Sequence, residues 1–324
     1  MCVAIGLKIK NKKNKEQWFL YKIRDRAYKP KYSIKYYSHD KTSSAFLIDE
    51  YNDWTEGINS KGIMLVSVAL QNHEDKKDGQ KRLSIKNRKT NRNGVILRQV
   101  LKMDKLQDVV DTLVEERFEG NTLVSDGEKL FCLEIFLHNK TKEAILKNLE
   151  IDPIEDEDDV KAILLKHITP EDYGVKIQEI KDDILVVRTN HGILLKDAGY
   201  TKEDGEGYKS SLMRRETVIK AIEDEEPNHP LEVLTLLKNL TSKNLNRDTK
   251  FCPIREDPSP YISTSIVLLT PTASMYVVPL ECSFSESSLE RVTKERDVSI
   301  TILPRKLKLF EGSIEGKIEH YLLS

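Results

Sequence analysis

Blocks of strand-like sequence separated by pairs of helix-like stretches predict a layered α+β protein with two sheets. The helical pairs fall at 95–101 with 106–118 and at 210–222 with 230–240, between three groups of strands. With 324 residues, 39% of them hydrophobic, the chain can bury one large core or two modest ones. It reads as a single domain over 1–324 with an insertion at 138–178.

Val3–Ile9 alternates loosely and reads as a strand ending in the basic turn 10–15, with Trp18–Ile23 as its hairpin partner. Arg24-Asp25-Arg26-Ala27-Tyr28 puts polar residues at the strand end, ahead of a Pro/Lys/Tyr-rich loop. Phe46–Ile48 and Ile63–Leu70 are further strands, and Glu56–Gly62 between them reads as a turn whose glycines suit positive φ. Val95–Leu101 and Leu106–Phe118 follow as helices. Asp104 is the expected N-cap of the second, whose apolar face is Leu106, Val109, Val110, Leu113 and Val114.

Asn121–Ser125 and Leu130–Phe136 are strands joined at Asp126-Gly127, a hairpin signal. Within the insertion, short helices are expected at 142–149 and 159–167. Asp183–Thr189 is a strand leading to Asn190-His191-Gly192. After the Gly-rich loop 199–207, Ser210-Ser211 are expected to cap a helix through Ile222. Pro230 opens another through Leu240, as proline suits a first helical turn. Ile266–Leu269 and Met275–Val278 are strands turned at Pro271-Thr272-Ala273.

Lys+Arg total 52 against 53 Asp+Glu, so no global charge points to nucleic acid or a membrane surface. The charge is uneven: residues 76–92 carry eight Lys/Arg, and residues 150–159 carry seven acids and no base. Such blocks read first as solvated loops or faces, and the basic one also favours an anionic substrate or acidic partner. No run approaches the roughly 20 apolar residues of a membrane helix, and the start lacks the layout of a signal peptide. Cys2, Cys132, Cys252 and Cys282 show neither Cys-x-x-Cys nor zinc spacing. A cytoplasmic location and buried structural thiols at Cys132, Cys252 and Cys282 are expected.

The chemistry is expected at the start, Met1-Cys2-Val3-Ala4-Ile5-Gly6-Leu7. Removal of Met1 is efficient before a small residue, and it leaves a cysteine with a free α-amine. The thiolate then attacks while the amine shuttles the proton, a self-contained nucleophile and base. Unperturbed pKa values of about 8.5 for the thiol and about 7.7–8.0 for the amine need only modest tuning. Alone, Cys2 reads first as a small apolar residue opening a strand.

Taken in order, Met1-Cys2, Arg24-Asp25, Glu56 to Gly62, Asn121 to Gly127 with Leu133-Glu134, Arg188-Thr189-Asn190-His191, Ser210 to Arg214 and the hairpin 263–279 form a pattern. It resembles the N-terminal nucleophile hydrolases, and among them the branch of choloylglycine hydrolases, penicillin acylases and acyl-coenzyme A:6-aminopenicillanate acyltransferases. The resemblance implies a four-layer αββα sandwich of two antiparallel sheets flanked by helices. It implies Cys2 as nucleophile, Asp25 as the acid holding its amine or thiol, Asn190 as side-chain oxyanion donor and Arg214 as a support of that network. The assisting Arg of the family stands three residues before the Asp, where this chain has Lys22; Arg24 resembles the arrangement of a related subgroup, and either cation can hold the thiolate. The second oxyanion donor of the choloylglycine branch falls at Ala69, so a backbone N–H of Ala69 or Leu70 is expected in its place.

The implied activity is hydrolysis of a linear amide of a small-molecule substrate through a thioester, or acyl transfer to a second amine. No metal or organic cofactor is implied, and a homo-oligomer is expected. Two other classes stay open. One is a class II amidotransferase-like glutaminase, which also begins Met-Cys but continues differently from Val3. The other is a non-catalytic binding protein using the basic loop 76–92.

Overall fold

The computed structural model describes residues 2–10, 14–38, 42–49, 55–70, 92–137, 169–201, 203, 205–256, 261–280, 283–284, 298–303 and 306–311. The chain opens with strands β1 (Cys2–Lys10), β2 (Glu16–Arg26), β3 (Lys31–Ser38), β4 (Ser43–Asp49), β5 (Thr55–Asn59) and β6 (Met64–Val68). Helices α1 (Arg92–Val100) and α2 (Leu106–Glu115) precede β7 (Gly120–Ser125), β8 (Leu130–Leu137), β9 (Tyr173–Ile180) and β10 (Leu185–Arg188). Then come α3 (Glu206–Glu225), α4 (Pro230–Lys238) and the single turn α5 (Ser242–Leu245). Strands β11 (Ile262–Thr270), β12 (Ser274–Pro279), β13 (Ser283–Phe284), β14 (Val298–Leu303) and β15 (Lys306–Glu311) follow.

The strands form two sheets, one ordered β10-β1-β2-β11-β12-β14-β15 and one ordered β13-β3-β4-β5-β6-β7-β8-β9. Pairing is antiparallel throughout except for the short parallel contact of β13 with β3. The alternation of side chains explains how they stack. Ala4, Leu20, Val267 and Leu269 of the first sheet meet Leu47, Ile58, Val66 and Leu123 of the second in a core between the sheets. The opposite faces of β1, β2 and β11 carry Val3, Ile5, Tyr21, Ile23 and Leu268, which pack on Val218 and Ile222 of α3 and Val233 and Leu237 of α4. On the far side, Phe46, Leu65, Val124 and Leu133 pack on Leu97, Val100, Val109 and Leu113 of α1 and α2. A strand covered on both faces reads as a continuous apolar run, which is why 3–9 and 63–70 lack a clean alternation. Among the described residues no helix is long and apolar enough to cross a membrane.

Several elements differ from the sequence reading. The Pro/Lys/Tyr-rich stretch after residue 30 is strand β3, with Tyr32 and Ile34 buried between the sheets. Residues 55–59 are strand, not turn, so only the end of the Glu56–Gly62 segment reverses the chain. The N-cap of α2 is Lys105, without a side-chain cap bond, in place of Asp104. Ser210 and Ser211 lie inside α3, which begins one turn earlier, and they are buried instead of capping. Residues 173–178, read as the end of an insertion, belong to β9 and pair along β8. The expected helices at 142–149 and 159–167 and the basic loop 76–91 lie outside the described residues. Pro230 does open α4, with His229 and Glu232 forming a reciprocal cap before it.

One end of the sandwich is shut by the turn at 271–273. Pro271 sits against the β5–β6 turn at Gly62, which has φ +80°. A Cβ added at Gly62 would run into the Pro271 carbonyl, in a backbone region that itself disfavours an L side chain by roughly 1–2 kcal/mol. Gly62→Ala should therefore lower unfolding stability by about 2 kcal/mol. Urea titration of the variant beside the parent measures it, and equal midpoints would show that the turn yields without strain.

Candidate active site

At the other end, the inward-facing rows change character strand by strand. On β2 the series Trp18, Leu20 continues as Lys22, Arg24; on β5 Ile58 gives way to Glu56; on β7 Leu123 gives way to Asn121. On β8 Cys132 is followed by Glu134, and on β10 Val186 by Arg188. All of these polar residues are buried. Cys2 opens β1 on the same face, directly opposite Arg24 in the β1–β2 register. Period-two alternation thus gathers the polar ends of many strands around the thiol.

The backbone nitrogen of Cys2 donates to Asn190 Oδ1 at 2.9 Å. Its sulfur lies 4.0 Å from the main-chain oxygen of Asp25. Burial opposes ionisation of the thiol, but the Lys22 ammonium, then the N-terminal ammonium of the chain and last Arg26, outweigh burial and the Asp25 charge and hold its pKa below the ordinary value. Lys22 is itself fully enclosed. It pairs with Glu56 at 2.6 Å and donates to the Ser67 carbonyl, while Arg24 pairs with the other Glu56 oxygen. Burial disfavours the Glu56 anion, yet Arg24 and Lys22 together keep its pKa below the usual carboxylate range.

Asn190 follows the edge strand β10 and is fixed at each polar atom. Its backbone N–H donates to Ser211 Oγ at 3.0 Å, and its Nδ2 donates to the Ala69 carbonyl at 2.7 Å. Gly199, at φ +71°, lets the returning chain lie against the Asn190 carbonyl, which accepts from Tyr200 N–H at 3.2 Å. The intervening loop is tied to Glu134, whose carboxylate accepts from the N–H groups of Ile193, Leu194 and Leu195 at 2.7–3.1 Å. His191 Nδ1 is 2.9 Å from Ser211 Oγ and 3.1 Å from Thr189 Oγ1. Because Ser211 Oγ accepts from Asn190, its proton is available to an unprotonated His191 Nδ1. Burial, aided by Arg215 and Arg188, pushes the His191 pKa down to about 4, so the ring is neutral.

Asp25 sits on the opposite, helix-facing side of β2. Its carboxylate meets Arg214 Nη2 at 2.8 Å, accepts from Ser263 Oγ at 2.8 Å and lies 3.8 Å from Arg255 Nε. Arg214 also donates to the carbonyls of Cys252 and Pro253. Burial and the adjacent Arg214 bring Arg255 down to about 10 despite Asp25. Asp25 therefore reaches Cys2 through its main chain, and the Asp25–Arg214 pair braces β2 from behind.

No family model matches the chain, and no curated protein does.

The structure brings Cys2, Arg24 and Asn190 into one cluster, with Asp25 and Arg214 forming a second layer behind it. At 69–70 it presents the Ala69 carbonyl to Asn190. In a trans peptide the Leu70 N–H points away from that carbonyl, so of the two backbone donors only the Ala69 N–H is left to converge with Asn190. Glu56, Glu134, Arg188, Ser263 and Arg255 escaped the sequence reading as site residues. Cys132 and Cys252 are buried free thiols, and Cys282 lies outside the described residues.

Two outcomes follow. Glu56→Gln leaves Lys22 and Arg24 buried without a counter-charge and should lower stability by about 3–5 kcal/mol; a loss under 1 kcal/mol in urea unfolding would show that solvent reaches the pair. For His191, the unfolded ring titrates near 6.5 and the folded one near 4, so between these values the unfolded chain binds the extra proton. Stability must then fall as pH drops from 6.5 towards 4, by at most about 1.4 kcal/mol per pH unit. His191→Gln should flatten that slope in urea midpoints measured across the range, and an unchanged slope assigns it to another group.

Proposed function

We propose that the chain is an N-terminal-nucleophile amidohydrolase acting on linear amides, with the αββα architecture of that superfamily. The observation that carries this reading is the hold of Asn190 Oδ1 on the Cys2 nitrogen, beside a thiol whose ionisation Lys22 favours. Once Met1 is removed, that nitrogen is an α-amine with a fixed acceptor. The resemblance to N-terminal nucleophile hydrolases in residue order, and the Asp25–Arg214 pair behind the site, support the same reading.

The amine takes the proton of the Cys2 thiol as sulfur attacks the substrate carbonyl carbon. The carbonyl electrons move to oxygen, and this oxyanion is met by the second N–H of Asn190 Nδ2 and the Ala69 N–H. An amide NH2 carries two donors, and only one is used by the Ala69 carbonyl. The ammonium then protonates the leaving amine, the C–N bond breaks and a thioester forms. Water attacks the thioester with the amine as base, releasing the acid and restoring Cys2.

Intact mass should show loss of Met1. On a panel of fluorogenic acyl amides, Cys2→Ala should abolish turnover, and Asn190→Ala should lower kcat by about two to three orders of magnitude with the fold kept by circular dichroism. Turnover by Cys2→Ala at the parent rate, or a retained Met1 in active protein, removes the mechanism.

A further inference from the structure

The row of inward-facing side chains just inside Cys2 contains two polar groups that the mechanism does not use. Arg188 is directly opposite Ala4 in the β1–β10 register, so it shares the inner face and is the diagonal neighbour of Cys2. It is 5% exposed, its Nε has no partner among the described residues, and no carboxylate among them forms an ion pair with it. It lies close enough to Cys132 to favour the thiolate of that residue, which burial disfavours. Asn121 is fully buried on the facing sheet, and neither its Oδ1 nor its Nδ2 has a partner among the described residues.

Register places these groups together. A Cβ built on Gly6 would touch Leu130 and come near Leu123, so these two leucines lie over Gly6. One inward-facing step along the pair β7–β8 replaces Leu123 and Leu130 by Asn121 and Cys132, and the same step along β1 leads from Gly6 to Ala4. Ala4 is the smallest side chain of its row, flanked by Arg188 on β10 and Lys22 on β2. Lys22 already has a counter-ion in Glu56, which it shares with Arg24. The register therefore sets Arg188 and Asn121 on facing strands over a small residue, next to the nucleophile, with a positive charge and an amide that no described residue satisfies. Buried polar groups are almost always paired, and a buried charge more so.

We propose that Arg188 and Asn121 form a carboxylate-binding subsite, and that the preferred acyl group is a short dicarboxylic acid amidated at one end. This deepens the amidohydrolase reading and rests on it for the position of the reacting carbonyl at Cys2. The free carboxylate accepts from the Arg188 guanidinium and from Asn121 Nδ2, while the amidated end meets the thiol.

The test compares 4-nitroanilides of succinate, glutarate and adipate with those of butanoate, pentanoate and hexanoate, and titrates free glutarate calorimetrically. The parent should prefer one of the anionic series. Arg188→Met and Asn121→Asp should each lower the anionic-to-neutral ratio of kcat/KM by about ten- to hundredfold and weaken glutarate binding, and Arg188→Lys should recover part of both. Arg188→Lys and Asn121→Leu keep the question answerable if Arg188→Met does not fold. Cleavage of neutral anilides at least as well as anionic ones, or a ratio and glutarate affinity unmoved by these substitutions, overturns the subsite and leaves the amidohydrolase reading standing, with ordered water the sole occupant. Glutarate binding that depends on Arg188 without any Cys2-dependent cleavage supports the subsite and removes the amidohydrolase reading. Absence of both removes both.

Discussion

The ion cluster Lys22–Glu56–Arg24 is the constraint on which the site depends. It joins β2 of one sheet to β5 of the other where the apolar core ends. Removing three charged groups from water is unfavourable by several kcal/mol each, and only close pairing offsets it. That pairing fixes the separation of the sheets beside Cys2 and places one net positive charge next to the sulfur. A hydrophobic replacement of equal volume could hold the sheets together as firmly, but it would remove Lys22, the largest influence that lowers the pKa of a thiol burial otherwise raises. The cluster thus trades stability for an electrostatic setting.

Behind it, the Asp25–Arg214–Ser263 contacts connect the same strand to α3 and to β11. β2 is therefore gripped by charge on both faces within four residues, Lys22 to Asp25. In front, Glu134 performs the corresponding task for Asn190 by accepting three successive backbone N–H groups from the loop that follows it. A carboxylate held this way has little freedom, and the loop inherits its rigidity. Cys2 and Asn190 are each braced by a buried acid on a different sheet, Asp25 and Glu134, which keeps them in register only while both sheets are intact.

Much of the fold was legible in the sequence because apolar runs and turn residues are local signals. The hairpin at Asp126-Gly127, the turn at 271–273 and the proline at the start of α4 came directly from such chemistry. Residue order also singled out Cys2 and Asn190, but with Asp25 as the partner of the Cys2 amine or thiol, whereas the Cys2 nitrogen meets Asn190 Oδ1. Glu56, Glu134 and Arg188 stood in the same order without a role, because a buried charge is written with the same letter as a surface one. A parity signal did exist on β2: Trp18, Leu20, Lys22, Arg24 and Arg26 share one face, so an apolar face turns cationic without changing side. Ser210 and Ser211 misled because serine favours helix starts, whereas here Ser210 donates to the Lys250 carbonyl and Ser211 serves Asn190. Strand β3 was hidden by its lysines, whose alternation with Tyr32 and Ile34 is visible only when tyrosine is counted as apolar.

The position of β1 between β2 and β10 has a consequence for biosynthesis. Its hairpin with β2 closes early, yet the partner of the Cys2 nitrogen arrives 188 residues later. At about 5–20 residues per second, a ribosome needs on the order of ten to forty seconds to deliver Asn190. Throughout that interval the Cys2 nitrogen is without its partner, and the site is completed only when β10 joins β1.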